Sequence, residues 1–483
     1  MESKKRGNIK IKVLSGLIWT FAERVAAQGV SFILSVILAR ILMPDEYGII
    51  AMVMVFINIA NVFVTGGVGE ALVQKKDADE VDFSTMFYCA MMISVGIYAF
   101  LFWGAPYIAK FYNNNQIIWV VRVLALKIII SAISTIQHAY VQKYMLFKKF
   151  FLSTIGGTTV SGVVGITMAL MGTGVWALVF QYLTSAIINV LILFITVSWK
   201  PRLKFSRKSA SRLMGFGGKM ILANLINAIY NEMRSLIIGK VYSPSDLAFY
   251  NKGNQIPSLA ITNIDTAIGS VVFPAMSTTE TPKELKNIGR KSMQMTSYII
   301  FPLMIGLMVV SKPIITLLLT EKWNESILYM QILCVYWMTQ PIQTTNWQTI
   351  KAMGRSDICL RLEMLKKTIG VCMIFAAMQF GIKAIAISAA LSGIVSMFIN
   401  MYPNKKLIGY TMTEQLIDIL PSLVLSIFMG CIVYLCSFLK FEIFIILIIQ
   451  VMVGIVVYVV LSYAFRVDAF LYLTQIINKS IKR

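Results

Sequence analysis

GLIWTFAERVAAQGVSFILSVILARILMPDEYGIIAM, residues 16–52, sets the reading of the whole chain. From about residue 13 to residue 38 it is long and apolar enough to cross a bilayer as a helix, which takes about 20 residues. Within that span Thr20, Arg24, Gln28, Ser31 and Ser35 recur every three or four residues and therefore share one helical face. An ionised side chain at membrane depth is expensive and normally faces a bundle interior or a watery cavity. Arg40 then falls in the last turn, Pro44 follows the helix end, and Asp45 and Glu46 open the next helix. The stretch reads as one wall of a polytopic transporter with a cationic interior, which implies anionic cargo.

Composition extends this reading to the whole molecule. Of 483 residues 58% are hydrophobic and only 14% charged, too little polar surface to cover a globule in water. The net charge of +22 would suit a nucleic-acid binder. The Lys and Arg residues, however, are scattered over short segments between apolar runs, and no nucleic-acid-binding motif accompanies them. No nucleic-acid partner is expected. The six cysteines lie in or beside apolar spans without a CxxC pair and read as packing residues. The basic start, MESKKRGNIKIK, precedes an uncleaved first span and suits the anionic cytoplasmic leaflet.

A ruler of about 20 residues finds fourteen candidate spans, near 13–38, 47–68, 83–106, 117–138, 150–171, 174–197, 214–239, 247–272, 291–311, 326–346, 360–380, 382–400, 413–437 and 442–464. With the N-terminus in the cytoplasm, 31 of the 44 basic residues fall on the cytoplasmic side, seven opposite and six within spans. One missed helix would invert every later loop, so this asymmetry supports both the count and cytoplasmic termini.

Segments 200 residues apart look alike: Leu38 to Tyr47 lies over Ile238 to Leu247, each with a basic residue, then proline, then an acid. A weaker echo pairs Ala105-Pro106 with Lys312-Pro313. A six-helix unit begins and ends on one side of the membrane, so its copy has the same orientation, and substrate binds at the interface of such repeats. The expected fold is an all-α membrane protein of about 14 transmembrane helices. It divides into a six-helix bundle at 1–198, a basic cytoplasmic linker at 199–213, a second six-helix bundle at 214–404, and two extra helices with a basic tail at 405–483.

The polar residues within spans are the candidate site. The first-span face carries Arg24 and Gln28, and the equivalent seventh span carries Asn224, Asn227, Asn231 and Ser235. The fourth adds Arg122, Lys127, Ser131, Ser134 and His138, and the second Asn58, Asn61 and Thr65. Arg24, Gln28, Arg122, Lys127, Asn224, Asn227 and Asn231 are the candidate substrate-binding residues. Arg122 and Lys127 could instead snorkel to an interface, His138 reads as structural, and Arg234 could pair with Glu232. Glu23, Glu232 and Asp265 could take a proton or Na⁺, or serve as counter-ions to cavity cations. No cofactor and no metal site are expected beyond coupling to a proton or sodium gradient. There is no HExxH, GxSxG or P-loop lysine, and no extramembrane segment exceeds about 20 residues, so no catalytic domain is expected. Gly157, Ser161 and Gly165 form a small-xxx-small series suited to close helix packing.

Residues 16–52, GVGEALVQKKDAD (67–79), WGAPYIAKFY (103–112) and AYVQKYMLFKKF (139–150) resemble the polysaccharide transport family. These are the Wzx-type bacterial flippases of the multidrug/oligosaccharidyl-lipid/polysaccharide exporter superfamily. The resemblance implies two six-helix bundles in a V around a central cavity, here with two added helices. It also implies transfer of undecaprenyl-diphosphate-linked oligosaccharide to the outer leaflet of the cytoplasmic membrane, with cavity arginines or lysines meeting the diphosphate. Arg24 matches the family pattern by position. Membrane lipids, a glycan polymerase and a chain-length regulator are the further partners implied. A multidrug or toxin cation antiporter and a lipid II flippase of the same superfamily are the alternatives, but a cation antiporter would favour acids over the six basic residues within these spans.

Overall fold

The computed structural model describes Trp19, residues 25–279 and residues 281–481. Eleven helices among them are long and apolar enough to cross a membrane. The first expected span is described only from Val25, as helix α1 (Val25–Ile41). The tenth is two helices that meet at Thr339, α13 (Ser326–Met338) and α14 (Gln340–Ala352). Gln340, Gln343, Asn346 and Gln348 leave the second of these too polar for the expected span. The eleventh, α15 (Ser356–Ala377), carries Asp357, Arg361, Glu363, Lys366 and Lys367 along its first three turns.

The chain forms two compact units, residues 1–248 and 249–483. The first contains α1, α2 (Pro44–Thr65), α3 (Val68–Gln74), α4 (Glu80–Tyr112), α5 (Ile117–Leu124), α6 (Leu126–Lys143), α7 (Phe147–Leu170), α8 (Val175–Thr196) and α9 (Arg207–Val241). Helix α10 (Pro244–Ser277) begins at its end. The second unit continues through α11 (Pro282–Val309), α12 (Ser311–Leu319), α13 to α15, α16 (Ile382–Ile408), α17 (Met412–Leu435), α18 (Ile443–Ala464) and α19 (Asp468–Ile481).

The repeated segment has the same local structure in both places. Helices α2 and α10 each begin on a proline, whose missing N–H costs nothing at a helix start. Glu46 accepts from the Met43 N–H at 2.8 Å, and Asp246 accepts from the Ser243 N–H at 3.2 Å. These carboxylates satisfy backbone donors that the helix leaves open. The two starts also touch, Ser245 Oγ donating to Asp45 Oδ1 at 3.0 Å. The weaker echo diverges: Pro106 lies inside continuous α4, whereas Pro313 follows a break at Val310.

The small-residue series does bring helices together. A Cβ on Gly157 would stand 2.9 Å from the Ser185 carbonyl oxygen of α8, and Ser161 is buried on the same face. Close backbone approach substitutes for the hydrophobic drive that lipid does not supply. In the second unit α11 packs along α17, with Met293, Phe301 and Ile419 among the buried side chains.

Candidate functional site

Depth can be read along the helices at 1.5 Å per residue. Counting α5 and α6 as one path of 27 residues from Ile117 to Lys143, Arg122 lies about 8 Å and Lys127 about 15 Å from the Ile117 end. The hydrocarbon core is about 30 Å thick. Lys127 is thus near the midplane, and Arg122 is closer to an interface.

Their surroundings differ accordingly. The Arg122 guanidinium lies over the rings of Phe102 and Trp119, at 4.5 and 5.1 Å, and its Nε donates to the Phe102 carbonyl oxygen at 3.3 Å. Trp119, Trp103 and Tyr107 are all more than half exposed, an aromatic belt of the kind found at membrane boundaries. Arg122 therefore belongs to that belt. The half-buried Lys127 has its Nζ 5.3 Å from the centre of the Tyr182 ring of α8. Among the described residues no carboxylate lies within ion-pair distance of it. A cation–π contact offsets part of the cost of its charge, about 2 kcal/mol when desolvated, and the rest is uncompensated among the described residues.

Arg24 and Glu23 lie outside the described residues. Gln28 is half-buried on α1 and is held by its surroundings. The asparagine face of α9 separates into two. Asn224 turns towards α2 and α3, where its Nδ2 donates to the Gly66 carbonyl oxygen at 2.8 Å. That oxygen lies at the Gly66-Gly67 break between α2 and α3, where the helical hydrogen-bond ladder is interrupted. At the same crossing a Cβ on Gly67 would stand 2.3 Å from the Gly217 carbonyl oxygen, so only glycine permits this approach. Asn227 and Asn231, on the same face of α9, are exposed.

Glu232 accepts from Asn58 Nδ2 at 2.8 Å, joining α9 to α2 across 174 residues of sequence. It does not pair with Arg234, whose Nε and Nη2 are enclosed without a hydrogen-bond partner among the described residues. Asp265, in the second unit, bonds Thr344, while its Oδ1 is enclosed and unmet among the described residues. His138 stacks on Phe150 at 4.7 Å and bonds Asn189, a packed position that fits its structural reading. Ser134 and Thr135 donate to the Ser131 carbonyl oxygen and leave the fourth-span stripe largely satisfied by backbone. Among the described residues no cluster of metal-ligating side chains occurs.

The first unit thus holds a midplane lysine under a tyrosine and, separately on other helices, an acid held by an asparagine. Tyr182 and the Asn58–Glu232 pair were not legible as partners. Only the spacing of each polar residue on its own helix could be read.

The chain is similar to a teichuronic acid biosynthesis protein, TuaB, of Bacillus subtilis, with 24% identity over 88% of this chain and 89% of that one. It is similar to the lipopolysaccharide biosynthesis protein WzxC of Escherichia coli, with 22% identity over 88% of each. Among solved structures, the inward-closed lipid II flippase MurJ shares the fold at a TM-score of 0.75 and 15% identity, over 94% of this chain and 99% of that one. An inward-facing multidrug resistance MATE family transporter shares it at 0.63 and 14%, over 80% and 98%. The multi-pass all-α membrane fold is therefore that of these transporters. A family model described as polysaccharide biosynthesis protein matches residues 37–328, and the chain belongs to that family.

Proposed function

We propose that this protein is a flippase for polyprenyl-diphosphate-linked oligosaccharide, moving repeat units from the inner to the outer leaflet of the cytoplasmic membrane. The observation that carries the reading is Lys127, a midplane cation without a carboxylate partner among the described residues. A diphosphate supplies the missing counter-charge, and Tyr182 holds the ammonium group in place until it arrives. Gln28, Asn227 and Asn231 offer amides to sugar hydroxyls, and Arg24, by its sequence position, adds a second cation. Both termini are cytoplasmic in this reading, as the Lys and Arg distribution favours.

Transport proceeds by alternating access and draws on a proton or sodium gradient. Glu232 and Asp265 are the described acids within spans that could take the ion. The relatives' roles in teichuronic acid and lipopolysaccharide synthesis support a glycan cargo. A glycan polymerase and a chain-length regulator would then act on the product. A cationic midplane group opposes the rival reading of a cation antiporter.

The test is complementation in a strain that lacks its own repeat-unit flippase, with cytoplasmic-leaflet lipid-linked oligosaccharide and surface glycan both measured. The wild-type chain is expected to clear the intermediate and restore the glycan, Lys127→Gln to do neither, and Lys127→Arg to recover part of the activity. Resistance to cationic drugs without glycan export would overturn the proposal.

A further inference from the structure

The second unit contains a cavity of about 710 Å³ between the start of α11, the first half of α17 and the α18–α19 elbow. Its two ends differ in chemistry. Arg290 and Arg466 stand at one end, and Leu420, Phe428, Leu461 and Phe465 line the trough that leads away from them. Phe428 and Phe465 are 61% and 69% exposed, so the trough opens sideways on the surface that meets lipid.

The charged end is built rather than incidental. Asp418, whose side chain is 2% exposed, accepts Arg290 Nε and Nη2 at 2.9 and 2.7 Å, Gln294 at 2.9 Å and Tyr410 at 2.7 Å. Four donors satisfy the carboxylate and fix the guanidinium in one orientation. Arg290 remains half exposed, and its Nη1 makes no hydrogen bond among the described residues. Arg466 has a left-handed backbone, φ +50°, at the end of α18, a position where glycine is the cheap residue. The adjoining hollow adds Lys291, above the Tyr472 ring. The one further acid, Asp468, lies in the first turn of α19, where it complements the helix dipole.

Length identifies the occupant. From Asp418 to Phe428 the trough follows α17 for ten residues, about 15 Å, which is half the hydrocarbon thickness. One leaflet-length acyl chain fits that span, and a polyprenyl chain exceeds it. The basic-residue distribution assigns this end of the helices to the cytoplasmic face.

We propose that this cleft is a specific site for an anionic diacyl phospholipid of the inner leaflet. Its phosphate meets Arg290 and Arg466, and one acyl chain lies along α17 and α18. The bound lipid ties the two C-terminal spans and α19 to α11.

The test uses the purified full-length protein, delipidated and titrated with phosphatidylglycerol, phosphatidylcholine or a polyprenyl phosphate, with retained lipid read by native mass spectrometry. Phosphatidylglycerol should be retained preferentially, in one copy that polyprenyl phosphate does not displace. Arg466→Gly removes the charge while relaxing the backbone. It should leave the lipid-free protein no less heat-stable and weaken phosphatidylglycerol about five-fold, the worth of one surface cation. Leu461→Trp, which fills the trough, should evict the lipid with every charge intact. Equal retention of phosphatidylcholine, displacement by polyprenyl phosphate, or undiminished phosphatidylglycerol in either variant would overturn the site.

Discussion

Replacing Lys127 with methionine should make the protein more stable and less active. Methionine keeps the length and most of the volume of the lysine stem, so packing on α8 survives. The charge is what changes. A lysine at the centre of a span costs about 2.5–3.5 kcal/mol on insertion scales. The contact with Tyr182, at 5.3 Å, returns at most about 2 kcal/mol. The difference, roughly 1 kcal/mol, is the gain expected for Lys127→Met. Thermal unfolding of the purified protein in nanodiscs measures this half of the prediction. Complementation of glycan export measures the other half, and a loss of at least ten-fold is expected because the diphosphate loses its counter-charge. A variant that is less stable, or that exports at the wild-type rate, would refute the view that Lys127 is kept for cargo at the expense of the fold.

Other outcomes follow from the same contacts. Asp418→Ala leaves the buried Tyr410 hydroxyl and the Gln294 amide unmet beside a half-exposed Arg290 and should cost about 1–3 kcal/mol in thermal unfolding, with Asp418→Asn intermediate. Asn224→Ala leaves the Gly66 carbonyl oxygen unmet at the α2–α3 break, a loss of about 1–3 kcal/mol visible in the same melts. Gln137 is fully buried with both ends of its amide unpaired among the described residues, so Gln137→Met should raise the melting temperature. Glu232→Gln keeps an acceptor for Asn58 but removes the titrating group. If this acid carries the coupling ion, transport by the variant loses its dependence on the imposed gradient at unchanged stability.

The sequence and the structure agree where the physics is local. Pro44 and Pro244, each followed by an acid, fix two helix starts whatever surrounds them, and both occur at the expected positions. The spacing of Gly157, Ser161 and Gly165 already marks a face on which another helix can approach closely. Periodicity stops short of saying what a face meets. Asn224 and Asn231 share a stripe, yet the first satisfies a broken helix and the second is exposed. Arg122 and Lys127 are five residues apart in one apolar run, and only the rings from α4 and α8 separate a belt residue from a midplane cation. The breaks at Gly66-Gly67 and Thr339 are marked locally by a glycine pair and by Pro341, yet a hydropathy ruler reads straight across both. Arg234 stands two residues after Glu232, an apparent pair that helical geometry points in different directions.

The Gly67–Gly217 crossing governs more than its own neighbourhood. A Cβ on Gly67 would need about 1 Å more room to reach ordinary van der Waals distance from the Gly217 carbonyl oxygen. Pushing α9 outward by that much would stretch the Asn224–Gly66 and Asn58–Glu232 bonds, each 2.8 Å, past useful length. The absence of one methyl group is thus a spacer setting for the interhelical gap. It keeps an acid fifteen residues further along α9 within reach of its amide, and a mutation there would silence a residue it never touches.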